Sequence, residues 1–131
     1  MKDERMENNG VCVIGEIMSG FSYSHEMFGE RFFRTDILVC RASGIMDAVP
    51  LMFPEELVDG GRDYSDSTVE ITGQFRSYNK KEGGESHLEL SVFVQEIRFL
   101  DGECTDYGSN NRVFLKGFLC KPPSYRKTPL G

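Results

Sequence analysis

The chain has no run of 18 apolar residues, no charged-apolar-small leader and no pair of cysteines at C-x-x-C spacing. The first absence excludes a membrane-spanning helix and the second argues against a secretory signal. The expectation is a cytoplasmic protein that touches no membrane. The four cysteines, Cys12, Cys40, Cys104 and Cys120, lie far apart, with no cluster of histidines beside them. Zinc sites and disulfide frameworks need ligands or partners at recognisable spacing. These thiols are therefore read as buried or half-buried in a reducing compartment, and no metal or cofactor is expected.

Catalytic patterns are equally scarce. His25 and His87 are the only histidines and fall in separate polar stretches, neither with Cys or Ser at motif spacing. Glu55-Glu56 reads as a helix-start pair rather than an acid/base dyad. Gly83-Gly84 has no following helix or Lys-Ser/Thr to cradle a phosphate. An enzyme with a small-molecule substrate is not expected.

Helical periodicity is nearly absent too. One short turn is predicted at Pro54-Glu55-Glu56-Leu57-Val58, where a proline and two acidic residues suit a helix start. What remains is runs of apolar, β-branched and aromatic residues between glycine-bearing turns. These place strands at about 10–19, 31–41, 45–53, 68–78 and 87–100. Five strands, with at most one short helix between the third and fourth, is the layout of an all-β Greek-key barrel of the OB type.

Alternation assigns the faces. Val69, Ile71 and Phe75 are expected in the core, and Leu88, Leu90, Val92 and Val94 share one face of the fifth strand. Ile97 and Phe99 then take the opposite parity, which calls for a bulge near Gln95. In the second strand Phe33, Thr35, Ile37 and Val39 point inward, leaving Phe32 and Arg34 outward. In the third, Val49, Leu51 and Phe53 are core, while Ala48, Pro50 and Met52 form an open face bare of aromatics.

The opening of the chain recurs near its other end. Asn8-Asn9-Gly10-Val11-Cys12-Val13-Ile14-Gly15 aligns with Asn110-Asn111-Arg112-Val113-Phe114-Leu115-Lys116-Gly117. In the same register Ser22-Tyr23 falls on Ser124-Tyr125 and Gly29 on Gly131. The expected organisation is one module over 8–103, a polar linker at 104–110, and the start of a second copy over 111–131. Three readings of that last segment stand side by side. It is a mobile extension, or the beginning of a second barrel that continues past Gly131, or a segment whose Val113 to Leu119 adds as a strand to an exposed sheet edge in its own or another subunit.

Charge is divided unevenly. Residues 1–103 carry 10 Lys+Arg against 20 Asp+Glu, and residues 104–131 carry 5 against 1. An acidic body works against attraction to a phosphate backbone.

Two stretches nonetheless resemble bacterial and phage single-stranded DNA-binding proteins. One runs from Val69-Glu70-Ile71-Thr72-Gly73-Gln74-Phe75-Arg76-Ser77-Tyr78 through a polar loop to Leu88–Val94 and Glu96-Ile97-Arg98-Phe99-Leu100. It looks like the family's fourth and fifth strands. The other, Asn111–Gly117 followed by Pro123–Gly131, resembles its first strand and the hairpin after it. The resemblance implies an OB barrel, oligomerisation through sheet edges and binding of single-stranded DNA.

Single strands are held by aromatic rings that stack on bases and by cations that follow phosphates. Tyr78 ends the fourth strand two residues from Arg76, at the mouth of a loop carrying Lys80 and Lys81, where the resemblance places a stacking aromatic. Phe32 is expected outward beside Arg31 and Arg34, which add cation–π and phosphate contacts. The expected site is thus Tyr78, Arg76, Lys80, Lys81, Phe32, Arg31 and Arg34. The expected function is non-catalytic binding of single-stranded DNA in replication, repair or recombination, by a homo-oligomer. The acidic body and the bare third-strand face favour an alternative, a degenerate OB module for oligomerisation or protein docking, like some primosomal proteins.

Overall fold

The computed structural model describes residues 9–18, 20–58, 64, 67–100 and 109–128, with the backbone alone at 78, 80 and 82. Seven strands follow one another: β1 (Asn9–Ile17), β2 (Ser22–Met27), β3 (Glu30–Cys40), β4 (Met46–Pro54), β5 (Thr68–Glu82), β6 (Glu85–Leu100) and β7 (Asn111–Leu115). The predicted turn after β4 is a single 3-10 turn, Glu55–Leu57, with Pro54 as its extended N-cap.

Five strands close into a ring. β1 pairs antiparallel with β5, β5 with β6, and β3 with β4, while β4 and β6 run parallel. A short β1–β3 ladder, Glu16↔Leu38 and Ile17↔Ile37, shuts the barrel. This is the OB architecture expected from the strand spacing. Two further strands flank the ring, of which β2 was not anticipated. β2 pairs with β3 as a hairpin arm, and β7 pairs with the part of β1 that β3 does not reach. The tail thus forms an edge strand within its own chain, over Asn111–Leu115 rather than the expected 113–119. The expected linker falls almost entirely outside the described residues.

The core is drawn from all five ring strands, among them Val11, Val13, Ile37, Val39, Leu51, Phe53, Val69, Ile71, Val92 and Val94. Phe21 and Tyr64 plug the barrel against Phe53 and Phe99, with Phe21 4.9 Å from both Phe53 and Tyr64. Asn9 prolongs β1 with its side chain. Its amide donates to the Phe75 carbonyl at 2.7 Å, and its Oδ1 accepts the Phe75 N–H at 3.0 Å.

The bulge predicted near Gln95 is present: Thr72 pairs with Glu96 and Gly73 with Val94, leaving Gln95 as the extra residue. Beyond it the expectation of a buried Phe75 is corrected, and the face that Leu88 and Leu90 share runs out of the core. Phe75 is 39% exposed, Leu88 66% and Leu90 49%. Parity placed them on the inner face correctly, but β5 and β6 continue past the barrel as a free arm, so that face has no core to meet. Cys120 corrects another, being exposed where a buried or half-buried thiol was expected. Among the described residues Cys12 is buried and Cys40 half-buried, and all three are free.

Candidate nucleic-acid interface

Both hairpin arms rise on the same side of the barrel, and each is closed by a two-residue turn. Phe28-Gly29 has φ of 53° and 79°, and Gly83-Gly84 has φ of 57° and 83°. Positive φ at both central positions is what a twisted hairpin asks of its turn. Glycine supplies it freely, whereas Phe28 is held there with its ring fully exposed at the arm's tip.

A hollow of about 490 Å³ lies between the arms, lined by Tyr23, His25 and Met27 of β2, Arg34 of β3, and Asn79 and Lys81 of β5. A second hollow, about 360 Å³, opens alongside among Phe32, Pro54, Arg76, Phe93 and Gln95, with Glu30 and Glu56 also lining it. Three rings stand where the two meet. His25 stacks on Phe32 with centroids 5.1 Å apart and planes at 15°. Phe32 lies 5.6 Å from Phe93, and the Arg76 guanidinium sits 5.2 Å above the Phe93 ring.

The strands explain the grouping. β4 runs between β3 and β6, so the outward residues of those neighbours flank its own. Met52 pairs with Arg34 on one side and Phe93 on the other, and it is fully buried. This corrects its placement on an open face: the larger side chains of β3 and β6 close over it. The aromatic surface missing from β4 is supplied by its neighbours.

Electrostatics divide the cations. Arg34 is shared by two carboxylates, Glu89 at 3.0 Å and Asp36 at 3.6 Å. Arg76 bonds only the neutral Gln74, Nε to Oε1 at 3.1 Å, among the contacts described for it besides Phe93. Lys81 reaches the first hollow from the β5 arm. His25 accepts or donates a hydrogen bond with Ser24 Oγ at 2.9 Å, and burial pushes its pKa below the ordinary 6.5.

Of the seven expected residues, Phe32, Arg34, Arg76 and Lys81 are brought to this face. Arg31 is not. Alternation along β3 turns it to the other side, where it lies 5.5 Å from the Tyr23 and Phe33 rings and pairs with Glu55 at 3.2 Å. The side chains of Tyr78 and Lys80 lie outside the described residues. Their backbones pair with Glu89, partway along the arm, and with His87, near its tip. Sequence reasoning missed Phe93 and His25. The signal for Phe93 was in plain view, since it alternates with the core residues Val92 and Val94. His25 sits on β2, whose Ser-Tyr-Ser-His-Glu-Met sequence has no apolar alternation to announce a strand.

Among the described residues there is no group of His, Cys, Asp and Glu able to hold a metal ion. No helix among them is long and apolar enough to cross a membrane.

A closed five-stranded barrel with an aromatic and cationic face between two hairpin arms defines the chain as an OB-fold protein. No family model matches the sequence, and no curated protein matches it. Solved structures do. The N-terminal domain of the PriB protein from Thermoanaerobacter tencongensis, described as dimeric, is 34% identical over 73% of this chain and 100% of its own, with a TM-score of 0.61. Plasmodium falciparum SSB in complex with single-stranded DNA is 11% identical over 77% of this chain and 100% of its own, at a TM-score of 0.55. The single-stranded DNA binding protein of Thermus aquaticus is 20% identical over 94% of this chain and 63% of its own, at 0.60. The chain belongs to the single-stranded DNA-binding protein family of OB folds, as its strand motifs implied.

Proposed function

We propose that the chain binds single-stranded DNA without catalysis, laying bases across the Phe32–Phe93–His25 surface and phosphates along Arg76, Lys80 and Lys81. The observation that carries this is the ring cluster with the Arg76 guanidinium on it, between two arms that shape a groove. Rings take any base by its π-face, so the reading is one of sequence-tolerant binding. Such a protein acts on strands exposed in replication, repair or recombination. Self-association belongs to the same proposal. Phe75, Leu88 and Leu90 leave an apolar strip on the free arm, of the kind subunits cover.

Titration of labelled oligo-dT at two salt concentrations tests the reading. Single-strand binding loses about 0.7 in log K per log salt for each phosphate neutralised. Three engaged cations, with Arg34 held by its carboxylates, give a slope of about −2. No binding at micromolar protein in low salt would leave the docking-module reading in its place.

His25 adds a pH dependence of definite sign. Its folded pKa is lowered, so between 6.5 and that lower value the unfolded chain binds more protons than the folded one. Its contribution to folding is therefore intact above 6.5 and lost as pH falls through the folded value. Protonation there also places a cation among the rings, which DNA favours. Affinity for oligo-dT is expected to rise from pH 7 to pH 5.5, and in His25→Phe, which keeps a ring, to stay flat. An equal rise in that variant would remove His25 from the interface.

A further inference from the structure

The cations of this chain are of two kinds. Arg31, Arg34, Arg41 and Arg98 are each held by a carboxylate, at nearest distances between 2.7 and 3.2 Å. Residues 111–131 carry Arg112, Lys116, Lys121, Arg126 and Lys127 and no acidic residue. Among the described residues no carboxylate pairs with any of these five, and the whole of 111–128 is exposed. An unpaired cation presents its full charge to an incoming anion, whereas a paired one presents little of it. Rings lie between these cations in sequence: Phe114 is 48% exposed, Phe118 100% and Tyr125 87%.

The sheet sets where this segment begins. β7 is antiparallel to β1 and β1 to β5, so β7 runs in the direction that carries β5 into its arm. It ends at Leu115 opposite Asn9, whose side chain bonds the Phe75 backbone where that arm leaves the barrel. Lys116 and the residues after it therefore start beside the root of the arm, close in level to Arg76.

The faces agree. Residues opposite one another in an antiparallel ladder point to the same side of the sheet. Phe93 is opposite Gln74, and Phe114 is opposite Gly10. Val11 is opposite Gly73, so Gly10 comes one step on, level with Gln74. Phe93, Gln74, Gly10 and Phe114 thus make one row across the outer face, over three strand spacings of about 4.8 Å each. Gly10 has no side chain to interrupt the row. At its β7 end a hollow of about 530 Å³ is lined by Phe114, Arg112 and Cys12, which share that outward parity.

We infer that β7 and the segment after it form a second contact for single-stranded DNA, which takes the strand as it leaves the groove between the arms. Phe114 receives a base, and Arg112, Lys116 and Lys121 receive phosphates. The inference rests on the reading of that groove as the DNA site. Charge decides the occupant. Unpaired cations with rings between them, on a chain whose acidic residues all lie before position 111, match a polyanion that carries bases.

Oligo-dT of two lengths separates the two contacts, because one OB fold takes about 4–16 nucleotides. A short oligo of about 6 fits the groove, while one of about 20 also reaches β7. Arg112→Gln/Lys116→Gln/Lys121→Gln is expected to leave the short oligo's affinity unchanged. On the long one it should make the log K against log salt slope shallower by about 2, at about 0.7 for each cation. Phe114→Ala is expected to weaken the long oligo alone, roughly 5- to 150-fold, and Phe114→Tyr to restore it. Anisotropy reads the affinities, and an unchanged melting temperature shows that the barrel is intact. A parent that binds neither oligo overturns the groove reading and this contact with it. A parent that binds both, with variants that match it on the long oligo, overturns this contact alone. Equal losses on both lengths overturn it too, since the variants would then act through the groove. A triple variant that keeps its affinity for the long oligo but sediments as a smaller species than the parent would assign the cations to the acidic body of a second copy instead.

Discussion

Gly15→Ala is expected to cost about 3 kcal/mol or more of stability and to lower the melting temperature by roughly 10 °C or more. A Cβ at position 15 would overlap the Leu38 carbonyl oxygen and press on the Ile37 side chain. The obstacle is backbone, at the place where β1 turns from β5 to meet β3 and shut the ring. Relief would require separating the two strands that close the barrel, next to the fully buried Ile37. Gly73→Ala meets the same obstacle at the Phe93 carbonyl beside the bulge and is expected to behave alike. Gly20→Ala is the control, since that position is open, and it is expected within about 0.5 kcal/mol of the parent. Thermal unfolding of the three variants checks the expectation. A Gly15→Ala protein melting with the parent would mean that β1 and β3 do not approach this closely.

Much of the barrel was legible because its signals are local. Alternation in Val69-Glu70-Ile71 and in Leu88–Val94 fixes the faces of strands whose neighbours need not be known. The parity break after Val94 announced the Gln95 bulge from the residues alone. Where a strand ends and how far its hairpin reaches past the barrel are not local properties. Phe75, Leu88 and Leu90 carry the same alternation as Val92, and only the position of the barrel rim separates buried from exposed. The site divided along the same line. Phe32 and Arg34 followed from alternation in β3, but Arg31 was added for its nearness in sequence, and a β-strand sends adjacent residues to opposite faces. The bare open face expected of β4 was a judgement on one strand taken alone. A sheet face is shared: Arg34 and Phe93 of the adjoining strands flank the buried Met52, and Phe32 and Phe93 restore the rings. The repeat was plain in sequence, while the edge it joins depends on which part of β1 the closing ladder leaves unpaired.

Phe93→Ala is expected to weaken oligo-dT binding by roughly 5- to 150-fold, the loss of about 1–3 kcal/mol per stacked base. Three consequences converge on that ring. It is itself a platform, it seats the Arg76 guanidinium 5.2 Å above it, and it supports Phe32 at 5.6 Å. Removing it frees Arg76 to swing and uncovers Met52, so the loss lies at the upper part of the range. Phe32→Ala leaves the Arg76 seat intact and is expected to cost less. The double variant should fall short of the summed effects, because the two rings touch and contacting residues do not act independently. Phe93→Tyr keeps the ring and is expected to bind within a few-fold of the parent. Fluorescence anisotropy at fixed salt measures all four, with melting temperature recorded beside it to separate lost contacts from a loosened barrel. A Phe93→Ala protein with unchanged affinity and an unchanged melting temperature would move the bases off this face. The β5 arm with Tyr78 would then be left to hold them alone.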